Sequence, residues 1–211
     1  MLKIILLLII CYLIGSIPTG LWIGEIFFHK DLRQFGSGNM GTTNTFRVLG
    51  KKAGIAVFFI DIAKGTLATL LPTLIGGIPL NPLWFGLAAI IGHTFPIFAK
   101  FKGGKAVATS AGMLLGYSPH FFLCTFLLFL LLIFLTSMVS VASMVCMLFV
   151  SIGSFIFPKY CPWILNQFDP FFSTIAIILT VFIIYRHREN VKRILNGTEN
   201  RVSFGLFKQK K

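Results

Sequence analysis

Three stretches of this chain gather side chains suited to holding an anion. The first is GSGNMGTTNTFR, Gly36 to Arg47. Its glycines, Gly38 among them, let backbone N–H groups approach an anion and adopt positive φ. Ser37, Asn39, Thr43 and Asn44 add neutral donors, and Arg47 adds a planar fork that fits phosphate. The second is GHTFPIFAKFKGGKAVATSAG, Gly92 to Gly112. Here Gly103 and Gly104 form a turn that feeds a helix N-terminus, with free N–H groups and the positive end of a dipole, and Lys105 supplies a full charge. Ala106 stands where a Walker loop needs Ser or Thr, so ATP hydrolysis is not indicated. The third is YRHRENVKRILNGTE, Tyr185 to Glu199, which reads as a helix leaving a membrane and ending at Gly197. It places His187, Arg188 and Asn190 near the membrane face, with Arg188/Lys192 and Glu189/Arg193 at i,i+4 spacing. Each stretch also has a plainer reading: a flexible loop, a capped turn with a lysine, and a basic helix on lipid headgroups.

The elements that must position these stretches are membrane helices. Of 211 residues, 56% are hydrophobic and only 12% charged. A soluble domain carries roughly 25% charged residues, and disorder needs low hydrophobicity. The apolar runs are about 2–28 (interrupted by GSIPTG), 53–75, 83–99, 106–117, 121–135, 138–157 and 171–185. A polar loop, 30–52, follows the first. Most of the 19 Lys and Arg residues lie in three segments. They are Lys30 to Lys52, Lys100 to Lys105, and a tail from Arg186 that includes Arg201, Lys208, Lys210 and Lys211. Positive charge beside a span is kept on the cytoplasmic side. The fold expected is therefore an all-α integral membrane protein with seven transmembrane helices, N-terminus outside and C-terminus cytoplasmic. Residues 1–211 would form one membrane-embedded domain with signature segments 36–47, 92–112 and 185–199. The run 106–117 is too short to span alone, because a crossing takes about 20 residues, so the GGK turn would sink into the membrane beside protein or water. A five-helix arrangement with 106–135 as one crossing competes, but Pro119 breaks that helix.

Other features narrow the chemistry. Asp61 and Lys64 sit three apart inside an apolar run and are spaced to pair, as a structural pair or as part of a cavity. Cys11, Cys124, Cys146 and Cys161 lack metal-ligand spacing and read as small apolar fillers. There is no G-x-S-x-G elbow and no H-x-x-x-x-D pair. By the charge argument all three donor-rich stretches share one side. That describes a cytoplasm-facing phosphate pocket roofed by apolar helices, suited to a substrate with an anionic head and an acyl tail.

The segments GSGNMGTTN, GHTFPIFAKFKGGKAVAT and HRENVKRILNGTE resemble the signature motifs of bacterial acyl-phosphate:glycerol-3-phosphate acyltransferases, the PlsY family. The likeness runs from about Gly15 to Glu199. It implies a seven-helix, inner-leaflet enzyme that moves a fatty acyl group from acyl phosphate to the 1-position of glycerol 3-phosphate, giving lysophosphatidic acid and phosphate. This is the first step of phospholipid synthesis. By position, Ser37, Asn39, Thr43, Asn44 and Arg47 match the first motif. Lys105 matches the phosphate-binding lysine, His187 and Asn190 match the third motif, and Ser143 matches the serine of a short S-x-A-S segment. Implied roles follow. Lys105, the backbone of Gly103 and Gly104, and Arg47 would steady phosphate or the developing oxyanion. Asn190, Ser143 and His187 would orient the hydroxyl, and Arg188 would add to phosphate binding.

No metal and no cofactor is expected. The partners expected are the two substrates, membrane lipids and a metabolic link to the acyl-phosphate-forming enzyme, with no nucleic acid. The location expected is the bacterial cell (inner) membrane, with the active site on the cytoplasmic side. A transporter for a phosphorylated solute is the alternative; it should show internal repeats, and none is visible between the halves.

Overall fold

Runs of leucine, isoleucine and phenylalanine that meet lipid must close their backbone hydrogen bonds internally, which a helix does. In the computed structural model the described residues, 1–207, are helical with no strand. Lys208, Lys210 and Lys211 of the basic tail lie outside the described residues. The chain divides into two compact units, Met1–Tyr117 and Ser118–Lys211.

The first unit begins with α1 (Leu2–Ser16) and α2 (Thr19–Phe28), which meet at a 45° bend. Pro18 at the junction cannot continue the helical ladder. The stretch expected as a polar loop is more ordered than its composition suggests. It holds a 3-10 turn at Leu32–Gln34 and a short helix, α3 (Thr42–Leu49). α3 forms because it is captured. Asn44 and Thr45 turn inward, and the Phe46 ring covers Gly54 at the start of α4 (Lys51–Ile75). After α5 (Leu83–Thr94), a 3-10 turn at Ile97–Ala99 leads to the GGK stretch and α6 (Val107–Tyr117). α4 and α6 pack at backbone distance. A Cβ on Gly65 would overlap the Thr109 carbonyl, and one on Gly112 would overlap that of Ile62. Small residues permit this approach, as between membrane helices generally. Thr66 strengthens it by donating across the interface to the Gly112 carbonyl at 3.0 Å.

The second unit holds α7 (Pro119–Thr136), α8 (Val139–Tyr160), α9 (Pro170–Arg186) and α10 (Arg188–Leu195), the last two bent by 57°. Fully buried Phe121 is its centre, edge-on to Phe149, Phe157 and Phe172 at centroid distances of 5.9, 5.0 and 6.2 Å. Such pairs add about 0.5–1.5 kcal/mol each beyond area burial. Ser151 and Thr180 join α8 to α9 through a 2.7 Å hydrogen bond. Beyond α10 the chain reverses at Gly197 (φ 68°) and lies against the α7–α8 turn. There the Val202 N–H donates to the Ser137 carbonyl and the Ser137 hydroxyl to the Phe204 carbonyl.

Large apolar side chains face outward along these helices, for example Leu127, Leu131 and Phe134 on α7. Among the described residues three helices, α4, α7 and α8, are long and apolar enough to cross a membrane, and the number becomes five if each bent pair is one span. Residues Leu83–Ala99 and Val107–Tyr117 are apolar but shorter.

Candidate active site

The first unit holds two of the three predicted stretches, and a buried carboxylate, Asp61, faces His93 of the second and Thr19, whose neighbour Gly20 packs on the first. The 36–47 loop is shaped by Asn44, whose amide donates to the Leu32 and Phe35 carbonyls at 3.3 and 3.0 Å. Its Oδ1 accepts from the Ser37 N–H at 2.9 Å and from Arg47 at 3.5 Å. Asn39 Oδ1 accepts from the Gly41 N–H at 2.8 Å, just before α3 begins. Gly38 adopts φ 69° and Gly36 φ 63°, so the turn needs glycine. Ser37, Gly38, Thr43 and Arg47 stay exposed on this frame.

The GGK stretch is folded against the end of α5. The Gly104 N–H donates to the His93 carbonyl at 3.2 Å. A Cβ on Gly103 would run into the His93 carbonyl, and one on Gly104 into His93 Nε2. Lys105 is half-buried, and Ala106 takes φ 64°, a left-handed conformation that costs a non-glycine residue about 1–2 kcal/mol. α6 starts at the next residue, so Lys105 stands at the positive end of its dipole.

Asp61 on α4 links the two loops. Its Oδ1 accepts from the Thr19 hydroxyl at 3.0 Å, pairs with Lys64 Nζ at 2.8 Å, and lies 3.8 Å from His93 Nδ1. Lys64 also donates to the Ile17 carbonyl at the α1–α2 break, at 2.8 Å. The next residue after Thr19 is Gly20, whose Cα rests on the Met40 carbonyl and Thr45 of the first loop. Leu21, Met40 and Ala99 close the space between the loops as a buried apolar cluster. The spacing of Asp61 and Lys64 was visible in the sequence, but their contacts with Thr19 and His93 were not.

The second unit builds a different frame. Ser143, buried on α8, donates to the Val139 carbonyl at 2.8 Å. His187, buried at the α9–α10 bend, has Nδ1 2.8 Å from the Ile183 carbonyl. Asn190 is buried on α10 and donates to Glu199 Oε1 at 2.6 Å. The same oxygen accepts from Ser140 at 2.8 Å, and Oε2 pairs with Arg193 at 2.8 Å. Burial pushes the Glu199 carboxyl up, but the hydrogen bonds from Asn190, Ser140 and Arg193 outweigh it and hold the group below its ordinary value. Glu199 ends the third signature stretch, yet nothing in its spacing marks it as the partner of Asn190. Arg193 therefore pairs with Glu199 rather than Glu189, whose contacts are Lys192 at 3.2 Å and Arg188 at 3.8 Å. Arg188 is exposed and stacks on the Tyr185 ring at 4.8 Å.

With this geometry established, known proteins decide the class. A protein-family model described as glycerol-3-phosphate acyltransferase matches residues 5–197. The chain belongs to the glycerol-3-phosphate acyltransferase family. It is similar to the glycerol-3-phosphate acyltransferase of Enterococcus faecalis, 61% identical over 99% of this chain and 96% of that one. Its likeness to that of Lactococcus lactis subsp. lactis is 56% identity over 98% and 96%. Among solved structures it resembles PlsY, an integral membrane glycerol 3-phosphate acyltransferase, in its glycerol 3-phosphate form. The TM-score is 0.83, with 38% identity and 94% of each chain covered. The lysophosphatidic acid form of PlsY matches with a TM-score of 0.81. The acyltransferase family membership and the apolar helices together make this a multi-pass membrane enzyme of phospholipid synthesis.

Proposed function

We propose that this acyltransferase takes its acyl group from acyl phosphate and places it on the 1-hydroxyl of glycerol 3-phosphate. The hydroxyl oxygen attacks the acyl carbonyl carbon, and the bond from that carbon to the phosphate oxygen breaks. Phosphate leaves, and the hydroxyl proton passes to a phosphate oxygen, so no protein base and no acyl-enzyme are needed. The donor is already activated, which leaves positioning and charge stabilisation as the protein's contribution.

The observation that carries this reading is the pair of glycine-shaped loops in the first unit, one closed by Asn44 and presenting Arg47, the other braced on His93 and presenting Lys105. Lys105, at the head of α6, and Arg47 steady phosphate and the developing oxyanion, while the Gly104 N–H is given to the His93 carbonyl and shapes the turn rather than meeting substrate. Ser37, Gly38, Asn39 and Thr43 add donors, and Asn44 holds their loop in shape. Asn190, Ser143 and His187 orient the attacking hydroxyl, with Arg188 adding positive charge near the substrate phosphate. The glycerol 3-phosphate and lysophosphatidic acid forms of the structural neighbour fit an acceptor and product of this kind.

Topology belongs to the same proposal. Seven crossings result if Leu83–Ala99 and Val107–Tyr117 also span, with the N-terminus outside, the tail inside and the chemistry at the cytoplasmic face of the bacterial cell membrane. A single cysteine placed at Lys102 in a cysteine-free variant should react with an impermeant reagent in inside-out vesicles only.

The deciding assay is purified protein in detergent with acyl phosphate and labelled glycerol 3-phosphate. Lysophosphatidic acid and phosphate in equal amounts are expected. Failure to form lysophosphatidic acid overturns the reaction, and an acyl adduct trapped on a Ser or Cys overturns direct attack.

A further inference from the structure

We propose that Asp61 is a positioning residue: one buried carboxylate oxygen fixes both anion-binding loops of the first unit and thereby sets the affinity for the phosphorylated substrates. This rests on the reading of those loops as phosphate-binding.

Asp61 and Lys64 are nearly inaccessible, with side-chain exposures of 3% and 5%, in a helix long and apolar enough to span. A buried ion pair is weak evidence for stability, because desolvation offsets its attraction, and an apolar replacement is often neutral or better. Ionisable groups at such depth mark function by default. What Asp61 touches gives that default content. Three groups from three other places in the chain or helix crowd its Oδ1: Thr19, Lys64 and His93. Thr19 is bonded in sequence to Gly20, which bears the Met40–Thr45 part of the first loop. His93 carries the second loop on its ring and its carbonyl, through Gly104 and Gly103. Lys64 keeps the carboxylate neutralised and ties it to the backbone break at Ile17. A pair present only to neutralise itself would need Lys64 alone. The contacts with Thr19 and His93 place the charge beside both supports, the one next to Gly20 under the first loop and the one that carries the second.

The test uses the full-length protein in detergent, with steady-state kinetics on both substrates and thermal unfolding measured alongside. Asp61→Asn/Lys64→Gln removes both charges and keeps a donor and an acceptor of similar size. The expected result is an unfolding temperature close to wild type with KM for glycerol 3-phosphate or acyl phosphate raised about 10- to 100-fold, the order that one weakened hydrogen bond to a charged substrate costs, and kcat changed less. Wild-type KM values in the folded double variant overturn the inference. If that variant does not fold, Thr19→Val and Thr19→Ser carry the test. KM raised in the first and restored in the second supports the role; wild-type KM in Thr19→Val overturns it. Lys105→Ala, run in parallel, separates the two claims. If it retains wild-type turnover, the phosphate-loop reading fails; if it is inactive while the Asp61 and Thr19 variants keep wild-type KM, only the positioning role fails.

Discussion

Both units organise polar groups around a buried carboxylate, but they do so differently. Asp61 sits mid-helix in α4, and the side chains that face it, Lys64, Thr19 and His93, in turn brace backbone: Lys64 the α1–α2 break, and His93 the GGK turn. Glu199 lies in an irregular segment after α10, and what hangs on it is side chains: Asn190, Ser140 and the partly exposed Arg193. The first unit therefore spends its loop N–H groups on holding the turns and presents the cations Arg47 and Lys105, which suit a phosphate. The second presents amide, hydroxyl and imidazole groups, which suit a hydroxyl. Damage to the frame that holds the first unit's loops should appear mainly in KM, whereas loss of its cation Lys105 and damage in the second unit should appear mainly in kcat.

The largest effect expected tests the cation itself. Lys105→Ala should lower kcat roughly 100- to 1,000-fold, the cost of losing one donor to developing charge, while the protein still inserts and purifies; near-normal turnover would remove lysine from the account. Next, Glu199→Ala takes a buried acceptor from Asn190 and Ser140, which costs about 1–3 kcal/mol of stability. Denaturant melts and kinetics should show that loss with kcat reduced more than KM, and the reverse pattern would break the contrast between the units.

A pH series sharpens the same point. Because the folded Glu199 carboxyl lies below its ordinary value, its contribution is present above about pH 4.5 and is lost as pH falls from there through the folded value. Glu199→Gln should remove that acid-side slope from the unfolding curve; an unchanged slope would mean other carboxylates produce it.

Backbone changes probe the first unit. Gly103→Ala should raise KM more than Gly104→Ala, because its Cβ meets the His93 and Thr94 carbonyls whereas the other meets a ring that can turn. Equal effects would mean the His93 ring is as rigid as the main chain. Smallest of all, Ala106→Gly relieves a left-handed residue but adds unfolded-state entropy and gives up a buried methyl, so thermal unfolding should shift by less than about 1 kcal/mol with KM retained.

Much of this was legible in the linear chain. Apolar runs of spanning length, glycine-rich donor stretches and clustered lysines are local properties, and each announces its chemistry without a partner. The helices broke where Pro18 and Pro119 said they would. α3 was hidden inside a stretch that reads as loop, because Thr42–Leu49 becomes helical by packing Phe46 over Gly54 rather than through its own propensity. Asn44 looked like a donor for an anion, and the structure uses its amide to close its own loop.

The sequence alone determined the membrane class, the family and the three chemical stretches, because these depend on residue types close together in the chain. Only the tertiary structure decided which carboxylate holds which group. Thr19 and His93 meet Asp61 from 42 positions before it and from another helix after it, and Ser140 meets Glu199 across 59. Such meetings depend on how helices cross and where a tail turns back, and side-chain spacing along the chain carries no record of that.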